Sequence, residues 1–459
     1  MRCKQLNAFE NINNAKITVL GTGVFRECRS MTNEFVNDVL KNYANNGEKK
    51  IIPAYLFSDC NGQDFTQLDI PDSFTQIDKG AFANNPYVTK IIVHSGTQIN
   101  AQTYDGTDGI FYKMVPNKVQ VVFEGEAETY YKVYRDNINV GGEDKGNAFM
   151  YLLTKTLDEN ATDYDVVAQR HADVCLKRTF KAGWNTLVLP FGARHGEGRE
   201  DGAGDCSRIF QKALNASDTP GFMIAAYRGL AKNEAQLDNS TFYFLKYANY
   251  DQDPLDEFEP LLVRMTQKDI NDANGVYTFK DVELNYDVDN KTSYTAEDAK
   301  KRMGLRDTGD YFDGSYDQNA NDKFKKCTYD DFYFTGTLYQ QQGMASENSA
   351  FIAPGDYIIQ NNTFVKCSAG KKYGLKGFRG YFKQLPSSST SSAKGNIGIC
   401  LVDRNGVVSS IHQVDGASLT PASVAPAAVY NLSGQQVGNS LSTLAKGVYI
   451  VNGKKFVKK

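Results

Sequence analysis

The chain has 459 residues, enough for about three domains of ordinary size, each able to bury its own core. Its 51 Lys and Arg nearly cancel 54 Asp and Glu, and no long run of one sign occurs, which argues against a nucleic-acid binder with its basic face. Aromatic residues make up 12%, with 27 Tyr and 27 Phe against one Trp, and Gly- and Asn-bearing turns separate short apolar runs, so strands are expected rather than long helices.

Residues 1–14 carry basic side chains but no apolar core of about seven behind them, so no signal peptide is expected there. No window approaches the ~18 apolar residues of a membrane-spanning helix. The chain is read as soluble, or as exported by a signal upstream of Met1.

Periodicity begins directly afterwards. Leu20/Phe25/Cys28, Ile52/Phe57/Cys60 and Ile77/Phe82/Asn85 share one spacing, an aliphatic residue, an aromatic five positions on, and Cys or Asn three further. A unit this short cannot bury its apolar side alone and must stack on its neighbours as a solenoid. Phe57 and Phe82 stand 25 positions apart, and Phe65, Leu68 and Ile70 map onto Val88, Ile91 and Val93 at a constant offset of 23, which predicts adjacent parallel strands. Between Phe25 and Phe57 the interval is 32. The excess places Phe35, Val36, Val39, Leu40 and Tyr43 on one face of a short helix started by Thr32 or Asn33. Ile99/Tyr104/Thr107 keeps the spacing in degraded form, and residues 119–123 read as another strand. Phe25, Phe57 and Phe82 are expected in the core, with Cys28, Cys60 and Asn85 inward and hydrogen-bonded to backbone along the stack. A partner would meet outward positions such as Thr66, Gln67, Asp69, Thr89 and Lys90.

From about Asn147 the pattern changes to short apolar or alternating segments, among them 149–153, 174–176, 184–191, 242–245, 260–265, 277–279, 332–335, 357–359 and 398–402. Many short strands without recurring amphipathic helices predict one or two antiparallel sandwiches. Residues 385–392, rich in Ser, read as a mobile loop, and 413–428, with Pro421 and Pro426, as a linker. In the tail, 429–437 and 446–451 read as strands, and Asn452-Gly453 as a hairpin turn into Lys454–Val457.

Chemistry-bearing residues form no linear signature. The cysteines, Cys3, Cys28, Cys60, Cys175, Cys206, Cys327, Cys367 and Cys400, contain no C-x-x-C, so neither zinc nor a dense disulfide framework is implied; buried free thiols are preferred and bridges stay open. His94, His171, His195 and His412 stand in no nucleophile–base context, and each is read as a surface or core histidine. Residues 196–205 are glycine-rich but lack the Lys-Ser/Thr of a phosphate loop. Asp317, Asn319 and Asn321 copy the first half of a calcium loop, which then fails because Asp322 stands where Gly belongs and Thr328 where Glu belongs. No catalytic, cofactor or metal residue is therefore assigned.

Leu68-Asp69-Ile70-Pro71-Asp72-Ser73-Phe74-Thr75-Gln76-Ile77-Asp78-Lys79-Gly80-Ala81-Phe82 resembles the repeat unit of BspA-like leucine-rich-repeat bacterial cell-surface proteins, with Phe74 where that repeat usually has Val. The likeness covers roughly residues 15–135 and implies export and adhesion to host or neighbouring-cell surfaces. Residues 181–191 and 377–382 are similar to segments of the β-rich regions that follow such repeats. Lys446-Gly447-Val448-Tyr449-Ile450 and Asn452-Gly453-Lys454-Lys455 resemble the C-terminal sorting domain of type IX secretion, which implies surface attachment or release. Taken together, the expected fold is mainly β, a leucine-rich-repeat solenoid over 1–146, a β-sandwich region over 147–412, a linker over 413–428 and a small C-terminal β-domain over 429–459. The expected protein is non-catalytic, lies at the cell surface or outside the cell, and binds a host or cell-surface protein or glycan. The alternative is a carbohydrate-binding or carbohydrate-cleaving surface protein with its site in the sandwich region.

Overall fold

The computed structural model describes residues 15–94, 108–123, 154–192, 223–232, 240–246, 257–287, 292–304, 332–347, 349, 351–360, 363–384 and 398–402. It also describes short strands at 139–140, 143–144, 327–328, 408–413, 429–430, 436–438, 447–451 and 454–458. The fold is mainly β, a solenoid of about four turns followed by several sheets.

In the solenoid the aromatic spacing becomes a column of rings. Phe25 and Phe57 stack at 5.3 Å and 8°, Phe57 and Phe82 at 6.2 Å and 11°, and Phe82 and Phe111 at 6.2 Å and 13°. Phe111 thus occupies the fourth place in the column, with Met114 at the Cys/Asn position; Ile99, Tyr104 and Thr107, to which the spacing had assigned the fourth unit, lie outside the described residues. A ladder of alternate N–H donors joins successive turns: Gly23, Phe25 and Glu27 to the carbonyls of Ala54, Leu56 and Ser58, then Tyr55, Phe57 and Asp59 to those of Lys79, Ala81 and Ala83, then Gly80, Phe82 and Asn84 to those of Asp108, Ile110 and Tyr112. The turns bend through left-handed backbone two residues after each phenylalanine, at Glu27, Asp59, Asn84 and Lys113, and two before the first three, at Gly23, Tyr55 and Gly80. Gly80 needs its missing side chain twice over, because φ is +61° and a Cβ would lie 2.4 Å from the Tyr55 ring.

The inward Cys/Asn column works as the sequence predicts at Cys60 and Asn85, while Cys28 Sγ, in the first turn, donates to Arg26 O two residues back at 4.0 Å. Cys60 Sγ donates to Phe25 O at 3.2 Å, and the equivalent Asn85 Nδ2 donates to Phe57 O at 2.9 Å, each reaching one turn back along the stack. Strands β1 (Ile51–Ile52) and β3 (Gln76–Ile77) pair in parallel, and β2 (Gln67–Ile70), β4 (Lys90–Val93) and β5 (Gln120–Phe123) form a second parallel sheet with Leu68 opposite Ile91 and Ile91 opposite Val121.

Helix α1 (Asn33–Asn46) stands in the first turn where the later turns have a sheet strand. Its N-cap is Thr32, whose hydroxyl accepts from Phe35 N at 3.2 Å, and its buried face carries Phe35, Val36, Val39, Leu40 and Tyr43 as the sequence predicts. The helix also closes the β2 edge. Asn33 Oδ1 accepts from Thr66 N and Gln67 N at 2.7 and 2.8 Å, and Asn37 Oδ1 accepts from Asp69 N at 3.0 Å. On its other side Asn42 accepts from Ile17 N and donates to Ala15 O.

The β5 end is closed by the next unit. Gln169 accepts from Val121 N at 2.7 Å and donates to Val121 O at 3.0 Å, while Asn117 makes the same reciprocal pair with Thr156 at 2.8 and 2.7 Å. Each side-chain amide imitates one rung of a strand ladder. Lys155, almost completely buried, donates to Pro116 O and Val119 O. Among the described residues, the β5 end of the solenoid therefore meets residues 155–170.

In that second unit a central sheet runs in the order 183–187, 261–265, 223–232, 240–246, 398–402, 408–413, with 327–328 also on 223–232. Alternate residues feed two apolar clusters. Leu187, Ile224, Ala226, Leu261 and Val263 pack with the three-stranded sheet of Lys155–Asp158, Gln169–Lys177 and Val276–Leu284. Trp184, Ala225, Tyr227, Phe242, Phe244 and Leu262 pack with Phe332, Phe334, Tyr357 and Phe382 of a four-stranded sheet. The pairing is not wholly antiparallel as the sequence suggested: 155–158 runs parallel to 169–177, and 240–246 parallel to 398–402. Two short helices, Gln267–Ala273 and Ala296–Gly304, were also not foreseen. The tail pairs 436–438, 429–430, 447–451 and 454–458 antiparallel, and Val451 opposite Lys454 sets a two-residue connection as expected, although 452–453 themselves lie outside the described residues.

Candidate functional site

Two outer faces of the solenoid carry the polar side chains that could meet a partner. The first is the sheet face. Along β2 and β4 buried and half-buried residues alternate, which turns Gln67, Asp69, Lys90 and Ile92 outward, with Thr66 and Thr89 exposed beside them. His94, just past β4, is half-buried and pairs through Nε2 with Asp69 Oδ1, so this histidine sits against a carboxylate on the outer face. Asn33 Nδ2 donates to Thr66 Oγ1 at 3.1 Å, and Gln120 Nε2 donates to Ala168 O at 3.3 Å. α1 and residues 168–170 thus flank the face on its two sides.

The second face is that of the phenylalanine turns. Tyr55 lies over Gly80 with the Arg26 guanidinium 5.3 Å and the Lys79 ammonium 5.7 Å from its ring centre, and its hydroxyl donates to Asp108 Oδ1. Lys79 pairs with Asp108 at 3.3 Å. The hydrogen bond to Asp108 raises the Tyr55 phenol and, with the one from Lys79, lowers the Asp108 carboxyl. Asp59 receives Asn84 Nδ2 at 2.7 Å, Ser58 Oγ at 2.8 Å and Arg26 Nε at 3.2 Å; burial pushes its carboxyl up, and these three donors outweigh burial and hold it below the usual range. The charges here are used between turns. Sequence reasoning missed this cluster, whose one trace is that Tyr55 stands at the position filled by Gly23 and Gly80 in the neighbouring turns.

The second unit holds a buried ionic centre. Glu159 accepts from Lys376 Nζ at 2.8 Å and Arg379 Nη2 at 2.6 Å. Arg178, wholly buried, donates to Phe378 O and Thr186 O and lies 4.2 Å over the Phe180 ring. Its guanidinium Nε has no hydrogen-bond partner. These groups pin the loop after Lys372–Leu375 to Glu159 and Arg178.

Among the described residues no group of three or more His, Cys, Asp and Glu side chains could hold a metal ion. The Asp317–Asp322 loop, the glycine-rich 196–205, the Ser-rich 385–392, the linker residues 414–428 and His195 lie outside the described residues, as do the side chains of His171 and His412. Among the described residues, too, no helix is long and apolar enough to cross a membrane. No family model, curated protein or solved structure matches the chain.

Lys155 gives the junction a pH dependence. Burial pushes its ammonium down to about 7, so between about pH 7 and the ordinary lysine range the unfolded chain holds a proton that the folded chain lacks. Stability should rise with pH across that window, by up to ~1.4 kcal/mol per unit. The carbonyls of Pro116 and Val119 favour the ammonium and narrow the window. Denaturant midpoints between pH 6.5 and 10 check this, and Lys155→Met should flatten the slope.

Proposed function

We propose that the protein is an exported, non-catalytic surface protein that binds a host or cell-surface macromolecule through the outer sheet face of its solenoid. The observation that supports this most is the closure of both strand edges by α1 and Gln169, which leaves side chains rather than free backbone as the contact surface. Thr66, Gln67, Asp69, Thr89, Lys90 and His94 are the contact residues in this proposal. Export rests on the likeness of Leu68–Phe82 to BspA-like repeats and of the tail to type IX sorting domains. Sugar recognition is the second reading. It draws on Tyr87 and Tyr112, exposed aromatics among the described residues, which stand on the solenoid rather than in the sandwich region.

The test uses the full chain, because the solenoid ends on residues 155–170. Immobilised extracellular-matrix proteins and a glycan array are probed with the wild type and with a Gln67→Ala/Lys90→Glu double variant. Protein binding that falls at least tenfold in the variant supports the proposal. Glycan binding lost on Tyr87→Ala/Tyr112→Ala, or glycan hydrolysis, overturns it in favour of the second reading.

A further inference from the structure

We propose that Cys28 and Cys60 form a covalent staple between the first two turns of the solenoid when the chain folds in the presence of a low-molecular-weight disulfide. The two residues hold equivalent places, three after Phe25 and three after Phe57, whose rings stack at 5.3 Å and 8°. The ladder bonds Phe25 N to Leu56 O and Glu27 N to Ser58 O keep the turns in register up to the cysteines. Turns stacked at the strand spacing of about 4.8 Å fall inside the window of about 4.4–6.8 Å between Cα atoms that a disulfide spans, and closing the bond draws the two Cβ atoms together to about 3.5–4.5 Å. Both side chains are completely buried in one cluster with free thiols, and both residues turn toward the Phe25 carbonyl, which accepts from Cys28 N at 3.3 Å and from Cys60 Sγ at 3.2 Å; the bridge would replace the second of these bonds.

Position along the stack adds a second argument. The same column continues as Asn85 and Met114, so a bridge is confined to the first pair of turns. That pair has the longest connection, 32 residues between phenylalanines against 25 for the next, because α1 is inserted there. A cross-link over the longest connection removes the most freedom from the unfolded chain.

In the reaction one cysteine thiolate attacks the small disulfide, forms a mixed disulfide and releases one small thiol. The second cysteine, losing its proton, displaces the other small thiol and closes the Sγ–Sγ bond. Two protein thiols are oxidised and one small disulfide is reduced to two thiols. Burial pushes the Cys60 thiol up to about 12, so closure belongs to the stage at which the turns pack, not to attack on the finished stack.

The experiment refolds the full chain in oxidised glutathione, blocks remaining thiols with N-ethylmaleimide under denaturing conditions, and maps tryptic peptides without reduction. Cys28 falls in peptide 27–29 and Cys60 in peptide 51–79, with no other cysteine in either. The expected result is a linked 27–29/51–79 pair, together with a rise of about 5 °C in melting temperature that dithiothreitol reverses and Cys60→Ser lacks. Recovery of both peptides as maleimide adducts, or linkage of either to another cysteine, overturns the staple. Neither outcome bears on the binding face, which uses none of these residues.

Discussion

Phe57→Ala should cost about 3–5 kcal/mol, the loss expected when a fully enclosed ring leaves a cavity that its neighbours cannot fill. The ring is held between Phe25 and Phe82 in near-parallel stacking, and the ladder bonds from Phe25, Phe57 and Phe82 fix the turns on which all three stand. Collapse into the hole would break that register. Phe57→Leu keeps most of the volume and should cost well under half as much. Urea unfolding followed by far-ultraviolet circular dichroism checks both variants. A loss below about 1 kcal/mol for the alanine would show that the column is not the core of the solenoid.

Glu159→Gln should destabilise the second unit by about 3 kcal/mol, because it preserves shape but leaves Arg379 without its ion-pair partner and removes the negative charge whose field favours the buried Arg178. Lys376, itself nearly half exposed, contributes less. Burial pushes the Glu159 carboxyl up, but the Lys376 hydrogen bond and the charges of Arg379, Lys376 and Arg178 outweigh it and hold the group below its ordinary range. The carboxylate's stabilisation is therefore fully present above about pH 4.5 and fades as pH falls through the folded value. The variant and the wild type should differ most near neutrality and converge in acid, as read from chemical denaturation at pH 7 and pH 3. An equal gap at both would mean that the loss comes from hydrogen-bond geometry and not from charge.

What the sequence reveals follows from how local the cause is. The Phe57–Phe82 interval, the Leu68/Ile91 register and α1 with its Thr32 cap are each written in spacings no longer than one repeat, and all three are realised. Phe111 escaped because its interval from Phe82 is 29 and because Met114 replaces the hydrogen-bonding residue of the motif. In the second unit the strand Met223–Lys232 carries no alternation, since Ile224 and Ala226 serve one apolar cluster and Ala225 and Tyr227 the other. The parallel partner of Ser240–Lys246 lies more than 150 residues along the chain, beyond any local signal. At the candidate site the outward β2 and β4 residues were legible from period two alone. The Tyr55 cluster was not, because it depends on a bulky residue accepting left-handed backbone.

The closure of the solenoid by uncharged amides has a consequence for how the molecule behaves in a crowd. An open stack of turns offers complementary top and bottom surfaces, and such surfaces join end on end into fibres without limit. Asn33, Asn37 and Gln169 occupy those polymerising groups with donors and acceptors that neither salt nor acid neutralises. Each of these bonds takes one backbone group of the stack out of reach of a second copy, at any ionic strength.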